Sequence, residues 1–241
     1  MIKIVFSDFD GTLTHGHELR SSFFEVLNEC KRLNAELVIT TGRSLSWGHY
    51  FLTHFPMQFA ILEGGGIICK KTNGDKEIVE VPLVSNFEQQ NLKKVTEKLL
   101  DNFPGLNLSV DSYGRKTDRA IEYFKDLEQK EKVEQFLTAH RVSFSSSNVH
   151  LNFWPGEVTK FKAIEYVLKN YFQDVKLEET IYFGDSLNDQ SAFKDHPNSV
   201  GVSNIASYLH KMIHRPKKVL EGPENESSFG VLNELRKLPQ S

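Results

Sequence analysis

Only two cysteines, Cys30 and Cys69, occur in 241 residues. Both sit in apolar contexts, and their separation suits neither a metal-ligand pair nor a disulfide framework. They read as buried thiols of a reducing compartment. Long hydrophobic runs are missing as well. The opening MIKIVFSDFDGT holds only a five-residue run between charged or polar groups. That is too short for a signal-peptide core, and no later stretch could span a bilayer. Charge of one sign is also lacking: 29 Lys and Arg stand against 32 Asp and Glu, a formal net charge of -3. Such a balance provides no basic face for nucleic acid and no acidic tail. It still permits a small anionic substrate held by a few local cations. Repeats and low-complexity segments are absent. The expectation is a soluble, cytoplasmic protein without a membrane or nucleic-acid partner.

What is present is an alternation of short apolar runs and helical periodicity. Ile2 to Ser7 is an apolar run that stops at acidic residues, as a buried strand does. Leu19, Phe23, Val26, Leu27, Cys30 and Leu33 recur at helical spacing, and Ala35 to Thr41 is again apolar and β-branched. Strand, helix, strand in that order predicts a parallel sheet with right-handed crossovers. A further strand is expected at Phe59 to Leu62, before the glycines 64–66 and Ile67-Ile68. The second half repeats the grammar. A helix runs through Phe161, Ile164, Leu168 and Tyr171, a strand over Thr180 to Phe183, and a short helix over Asn188 to Lys194. A strand follows at Ser199 to Val202, then Val219-Leu220, then a helix near Phe229 to Leu238.

Between the halves the pattern changes. Leu92, Val95 and Leu99 mark one helix and Leu127 to Leu137 another. Strands are expected at Leu106 to Val110, Arg119 to Phe124, Val142 to Ser145 and Val149 to Trp154. Two helices over an antiparallel sheet make an α+β insert.

The chemistry-bearing residues stand where the core strands end. Asp8-Phe9-Asp10-Gly11-Thr12 leaves the first strand, with two carboxylates two residues apart and a glycine that lets the chain turn away. Such carboxylates repel unless a cation or proton intervenes. Thr40-Thr41-Gly42-Arg43 ends the second strand with a hydroxyl, bare amides and a guanidinium, groups suited to phosphate. Gly184-Asp185-Ser186-Leu187-Asn188-Asp189 ends another and adds two carboxylates. Hard oxygen ligands gathered from separate strand ends suit Mg²⁺. Taken singly, each motif also reads as a polar turn or helix cap, and Lys160 as a solvated surface lysine.

Together, DFDGT, TTGR, TKFKA and GDSLND in this order resemble the four motifs of the haloacid dehalogenase (HAD) superfamily. The resemblance covers both predicted core halves and the trailing Val200 to Asn204. It implies an α/β fold, a Rossmann-like parallel-sheet core over 1–84 and 156–241. It further implies a type C2B α+β cap over 85–155. It implies a phosphatase in which Asp8 is the nucleophile and Asp10 the general acid and base. Thr41, Gly42 and Lys160 would bind the phosphoryl group. Asp8, the backbone carbonyl of Asp10 and Asp185 would hold Mg²⁺, with Asp189 in support. The place and pattern of the insert resemble the type IIB subgroup, which includes sucrose-phosphatase-like and Cof proteins and is related to eukaryotic-type phosphomannomutases. The implied substrate is a small phosphorylated metabolite, a sugar phosphate. A phosphohexomutase and a non-catalytic phosphosugar sensor are the alternatives. The complete GDSLND resembles the phosphatases more than the mutases, and the intact acidic and lysine positions favour an enzyme over a sensor.

Two positions depart from the subgroup. Asn152 stands where Asp is usual, and Glu63 stands before Gly64 where Asn is common. In the cap, alternation over 149–154 puts His150, Asn152 and Trp154 on one face, which would be either wet or turned to the leaving group. Arg43, Arg119, His150, Asn152 and Asn188 are the candidate substrate contacts, with Asp118 a further one. Arg115 and Lys116 read more simply as a solvated turn. His15 and His17 would line the entrance or be merely exposed.

Overall fold

The computed structural model describes residues 1–240 apart from 73, 75, 76, 123 and 147–150; the side chains at 113 and 146 are also outside the description. In chain order its elements are β1 (Ile4–Ser7), α1 (Ser21–Arg32), β2 (Glu36–Thr40), α2 (Leu45–His54), β3 (Phe59–Leu62), β4 (Ile67–Thr72), β5 (Glu77–Pro82) and α3 (Asn86–Asn102). Then come β6 (Arg119–Ile121), α4 (Leu127–Ala139), β7 (Val142–Ser146), β8 (Leu151–Pro155) and α5 (Lys160–Tyr171). The chain closes with β9 (Thr180–Gly184), α6 (Gln190–Asp195), β10 (Ser199–Gly201), β11 (Lys218–Val219) and α7 (Ser228–Arg236).

Eight strands form one sheet in the order β11-β10-β9-β1-β2-β3-β4-β5. Its pleat sorts the apolar residues into two layers. Val5, Leu37, Ile39, Ile181 and Phe183 face one cluster, which α1, α2 and α7 cover with Phe23, Val26, Phe51, Leu52, Val231 and Leu235. Ile4, Phe6, Val38, Ile61 and Tyr182 face the other, covered from α5 and α6 by Ile164, Val167 and Phe193. Strands buried on both faces explain the unbroken apolar runs in the sequence.

β1 pairs in parallel with both β2 and β9. The chain therefore leaves β1 toward one side of the sheet and returns on the other. The crevice at that reversal lies outside the carboxyl ends of the strands, where open α/β sheets bind ligands. At the far edge, β3 pairs antiparallel with β4 and β4 with β5. This hairpin and α2 were not foreseen from the sequence.

A second sheet, β6-β8-β7, is antiparallel. Its own apolar cluster joins Leu92, Val95 and Leu99 of α3, Val133 and Leu137 of α4, and Leu151 and Phe153 of β8. The strand expected at Leu106 to Val110 is corrected: only Leu108 bridges, to Ile121, and a 3-10 turn spans Val110–Gly114. The reason is local. Ser109 Oγ donates to Asp111 Oδ1 at 2.5 Å, a side-chain bond that favours turn over ladder. β6 stops at Ile121, short of the expected Phe124, and β8 starts at Leu151; Val149 and His150 lie outside the described residues.

Candidate active site

Asp8 follows β1 directly, Thr41 follows β2 and Asp185 follows β9, so parallel register alone brings the three together. Gly11 makes the packing feasible. Its φ is +79°, and a side chain there would collide with the Asp185 carboxylate. Asp185 is braced by Thr12 Oγ1 at 3.2 Å and Asn204 Nδ2 at 3.0 Å.

Lys160 opens α5, where Thr159 caps the helix by accepting from Lys162 N. A cation at a helix N-terminus opposes the helix dipole. Its place is explained by what it touches. Lys160 Nζ donates to Asp8 Oδ1 at 2.7 Å, to Asp189 Oδ1 at 2.7 Å and to Asn188 Oδ1 at 3.1 Å. Only 2% of the residue is exposed, which excludes the solvated-surface alternative for Lys160. Burial disfavours its charge, but Asp189 and Asp8 hold its pKa above the usual lysine value.

Asp189 is saturated: Oδ1 also accepts from Tyr182 Oη at 2.5 Å, and Oδ2 from the backbone N–H groups of Asp185 and Ser186 at 3.1 Å each. Asp8 and Asp185 are not. Burial, with Lys160 drawing it down and Asp189 and Asp10 pushing it up, lifts the Asp8 carboxyl to about 7. Burial and then Asp8 raise Asp185 well above the carboxylate range. One carboxylate oxygen from each of Asp8, Asp185 and Asp189 lies within 4.8 Å of the others. Among the described residues, four carboxylates here, Asp10 included, meet only two cationic partners, Lys160 and Arg43. Hard oxygen donors with excess negative charge fit a divalent cation such as Mg²⁺. Asp189, already filled by four donors, suits a supporting part.

Asp10 turns away from this cluster to Arg43, whose Nε lies 2.8 Å from Oδ2 and whose Nη2 lies 2.5 Å from Oδ1. The guanidinium sits 3.8 Å from the Trp47 ring centroid, stacked on an aromatic face. Thr41 Oγ1 accepts from Arg43 N at 3.1 Å, which orders the turn.

A cleft of about 520 Å³ joins this floor to the smaller sheet, with Asp111, Arg115, Glu122 and Asn152 on its upper side and His17 at its edge. Arg115 is a correction to the solvated turn: it is 5% exposed, forked between Asp111 at 2.8 Å and Asp118 at 2.8 Å, and donates to Gly42 O at 2.9 Å. Lys116 is exposed and pairs with Glu80. Asn152 Nδ2 donates to Asp118 Oδ2 at 2.8 Å. An aspartate at 152 would face a buried like charge, which accounts for this departure from the subgroup. Asp118 is already pushed up to about 6 by burial, against the pull of Arg115 and with a push from Glu63.

Arg119 Nη1 donates to the carbonyls of Arg115 and Asp118. His15 meets Ser228. His150 is outside the described residues. Sequence reasoning missed Tyr182, Asn204 and Glu63 as partners of the site. Asn204 lay in the trailing VGVSN segment, and Glu63 was marked only as a departure.

Comparison with known proteins agrees with this architecture. Residues 1–237 match the family model described as sucrose-6F-phosphate phosphohydrolase. A phosphoglycolate phosphatase from Methanobrevibacter smithii is 24% identical over 215 residues, covering 87% of this chain and 89% of its own. Among solved structures, a HAD-superfamily phosphatase from Bacteroides thetaiotaomicron superposes with a TM-score of 0.72 at 17% identity, over 99% of this chain and 96% of its own. The C-terminal domain of trehalose-6-phosphate phosphatase from C. albicans does so with 0.69 at 17%, over 99% and 93%. The chain belongs to the sucrose-6F-phosphate phosphohydrolase family and is a phosphatase of the haloacid dehalogenase superfamily.

Proposed function

We propose that the protein is a Mg²⁺-dependent phosphomonoester hydrolase that works through an aspartyl-phosphate on Asp8 and acts on a small sugar phosphate. Residues 85–155 serve as the cap that recognises the leaving group. The observation that carries this reading is the buried Lys160 ammonium, shared between Asp8 and Asp189. It holds Asp8 Oδ1 and leaves Oδ2 to attack phosphorus.

In the first step Asp8 Oδ2 bonds to phosphorus as the ester P–O bond breaks, and Asp10 gives a proton to the departing oxygen. In the second, Asp10 takes a proton from water, which attacks phosphorus and frees the Asp8 carboxylate and phosphate. Asp10 must swing from Arg43 to reach either oxygen. Thr41 and the Gly42 amide hold the phosphoryl oxygens while Lys160 offsets their charge. Asp8, the Asp10 carbonyl and Asp185 would hold Mg²⁺, which lets an anionic nucleophile approach an anionic ester.

The leaving group is read as neutral and hydroxyl-bearing. Arg115 is committed to Asp111 and Asp118, and Nη1 of Arg119 to backbone carbonyls. With all three of its nitrogens bonded, Arg115 offers no ready fork for a second phosphate, which favours hydrolysis over the mutase alternative. Two buried free thiols, Cys30 and Cys69, support a reducing, cytoplasmic setting. Among the described residues no helix is long and apolar enough to cross a membrane.

The test is phosphate release from a panel of sugar phosphates, phosphoglycolate and aryl phosphates, with and without Mg²⁺, beside Asp8→Asn. Metal-dependent release that disappears in the variant is the expected result. Release that survives Asp8→Asn would remove Asp8 as nucleophile, and a preference for phosphoglycolate would overturn the sugar assignment.

A further inference from the structure

Glu63 follows β3 and is 1% exposed, yet its carboxylate is met chiefly by backbone amides rather than by a cation. Oε2 accepts from Thr117 N and Thr117 Oγ1 at 2.6 Å each, and from Asp118 N at 3.2 Å. Oε1 accepts from Lys116 N at 3.1 Å and Leu45 N at 3.2 Å. Successive N–H groups of one loop converging on one anion form a nest. Here the anion comes from the large sheet and the nest from the segment leading into β6. Glu63 adopts this pose at φ +52°, a conformation that side chains rarely take.

The same residue grips the phosphate-binding turn through its backbone. Glu63 N donates to Arg43 O and Gly64 N to Thr41 O, both at 3.0 Å. Arg115 reaches that turn from the other side through Gly42 O at 2.9 Å. Approach is close enough that a side chain at Gly66 would collide with Thr117. Moving residues 116–118 would therefore displace Asp118 and Arg115, and with Asp118 the Asn152 amide at the cleft wall.

We propose that Glu63 is a positioning residue that clasps the 116–118 loop onto the turn at 41–43 and so sets the height of the cleft above Asp8. This rests on reading 41–43 as the phosphoryl-binding turn and 85–155 as the cap. A residue needed only for the turn would behave differently, because glycine suits φ +52° better than glutamate does.

The experiment compares the full chain with Glu63→Gln and Glu63→Gly by amide hydrogen exchange and by steady-state kinetics on the best sugar phosphate of the panel. The amides of 116–118 should exchange about tenfold faster in the glutamine variant, and faster still in the glycine variant, while β1 and β9 keep their protection. KM should rise about tenfold with kcat falling less than about threefold. Three results would overturn the clasp: unchanged exchange at 116–118, a glycine variant equal to the parent, or uniform acceleration across the molecule. Exchange decides the clasp without catalysis. If the parent releases no phosphate from any ester, the functional reading falls and the clasp is still judged. If exchange stays unchanged while the parent turns over and Asp8→Asn does not, the clasp alone falls.

Discussion

The strand-end floor and the seam under the 116–118 loop both bury several charges, and they balance them in opposite ways. On the floor, Asp8, Asp10, Asp185 and Asp189 outnumber Lys160 and Arg43, and burial, aided by the neighbouring carboxylates, raises the pKa values of Asp8 and Asp185. In the seam, Glu63 is filled by amides, Arg115 is forked between Asp111 and Asp118, and Asn152 completes Asp118. Excess charge of one sign in a buried crevice is costly unless a ligand completes it. A saturated polar network instead resists movement. The contrast separates the part of the molecule proposed to bind from the part that holds its shape.

The largest expected effect falls on the floor. Asp8→Asn should lower turnover of p-nitrophenyl phosphate by roughly 10⁴-fold or more, with circular dichroism unchanged. Retention of even a tenth of the activity would mean the floor is not where bonds change. For the seam, Arg115→Ala strands Asp118 and Asp111 without their cation, and should cost about 3–5 kcal/mol in urea unfolding. A loss under ~1 kcal/mol would erase the distinction between the two regions.

His196 supplies a reference outside both charge clusters, its ring 6.2 Å from that of Tyr182. Asn198 N donates to its Nδ1 at 3.2 Å, so Nε2 carries the proton and donates to Thr180 Oγ1 at 2.8 Å. Burial lowers its pKa to about 4. The unfolded chain thus binds a proton between about pH 6.5 and 4 that the folded chain refuses, and stability falls as pH falls through that window. The contribution is about 3 kcal/mol, absent from His196→Gln when unfolding is followed from pH 7 to 4. Parallel pH curves for parent and variant would show that the imidazole is not held neutral.

The smallest effect sharpens the comparison most. Asp185→Asn removes a buried acidic group crowded against Asp8 and Asp189 and should stabilise the metal-free protein by about 1–2 kcal/mol while abolishing the thermal shift that the proposed Mg²⁺ site predicts for the parent. Destabilisation would mean that the floor, like the seam, is balanced without a ligand.

Much of the floor could be read before any coordinates. Ile4–Ser7, Glu36–Thr40 and Thr180–Gly184 are apolar runs ending in polar motifs, and strands buried on both faces leave that signature. The antiparallel hairpin β4–β5 was less legible. Residues 69–72 and 77–80 mix charge and β-branching, as an edge exposed to water allows. The turn at Val110–Gly114 was misread because Leu106 to Val110 alternates like a strand, while the Ser109–Asp111 bond decides otherwise. Arg115 looked solvated because its partners, at i−4 and i+3, form a fork only once the chain folds back over Gly42.

By itself the sequence determined which groups stand at the ends of the core strands, since strand and motif are contiguous and the hydrophobic pattern sets the direction of each run. It also determined the family, through four motifs in order. Only the tertiary structure decided the pairings: Asp10 with Arg43, Lys160 with Asp8 and Asp189, and Glu63 with the amides of 116–118. These join residues up to 152 positions apart. Local propensity and periodicity hold no record of such distances; they arise when a parallel sheet lays separate strand ends side by side and a second sheet settles over them.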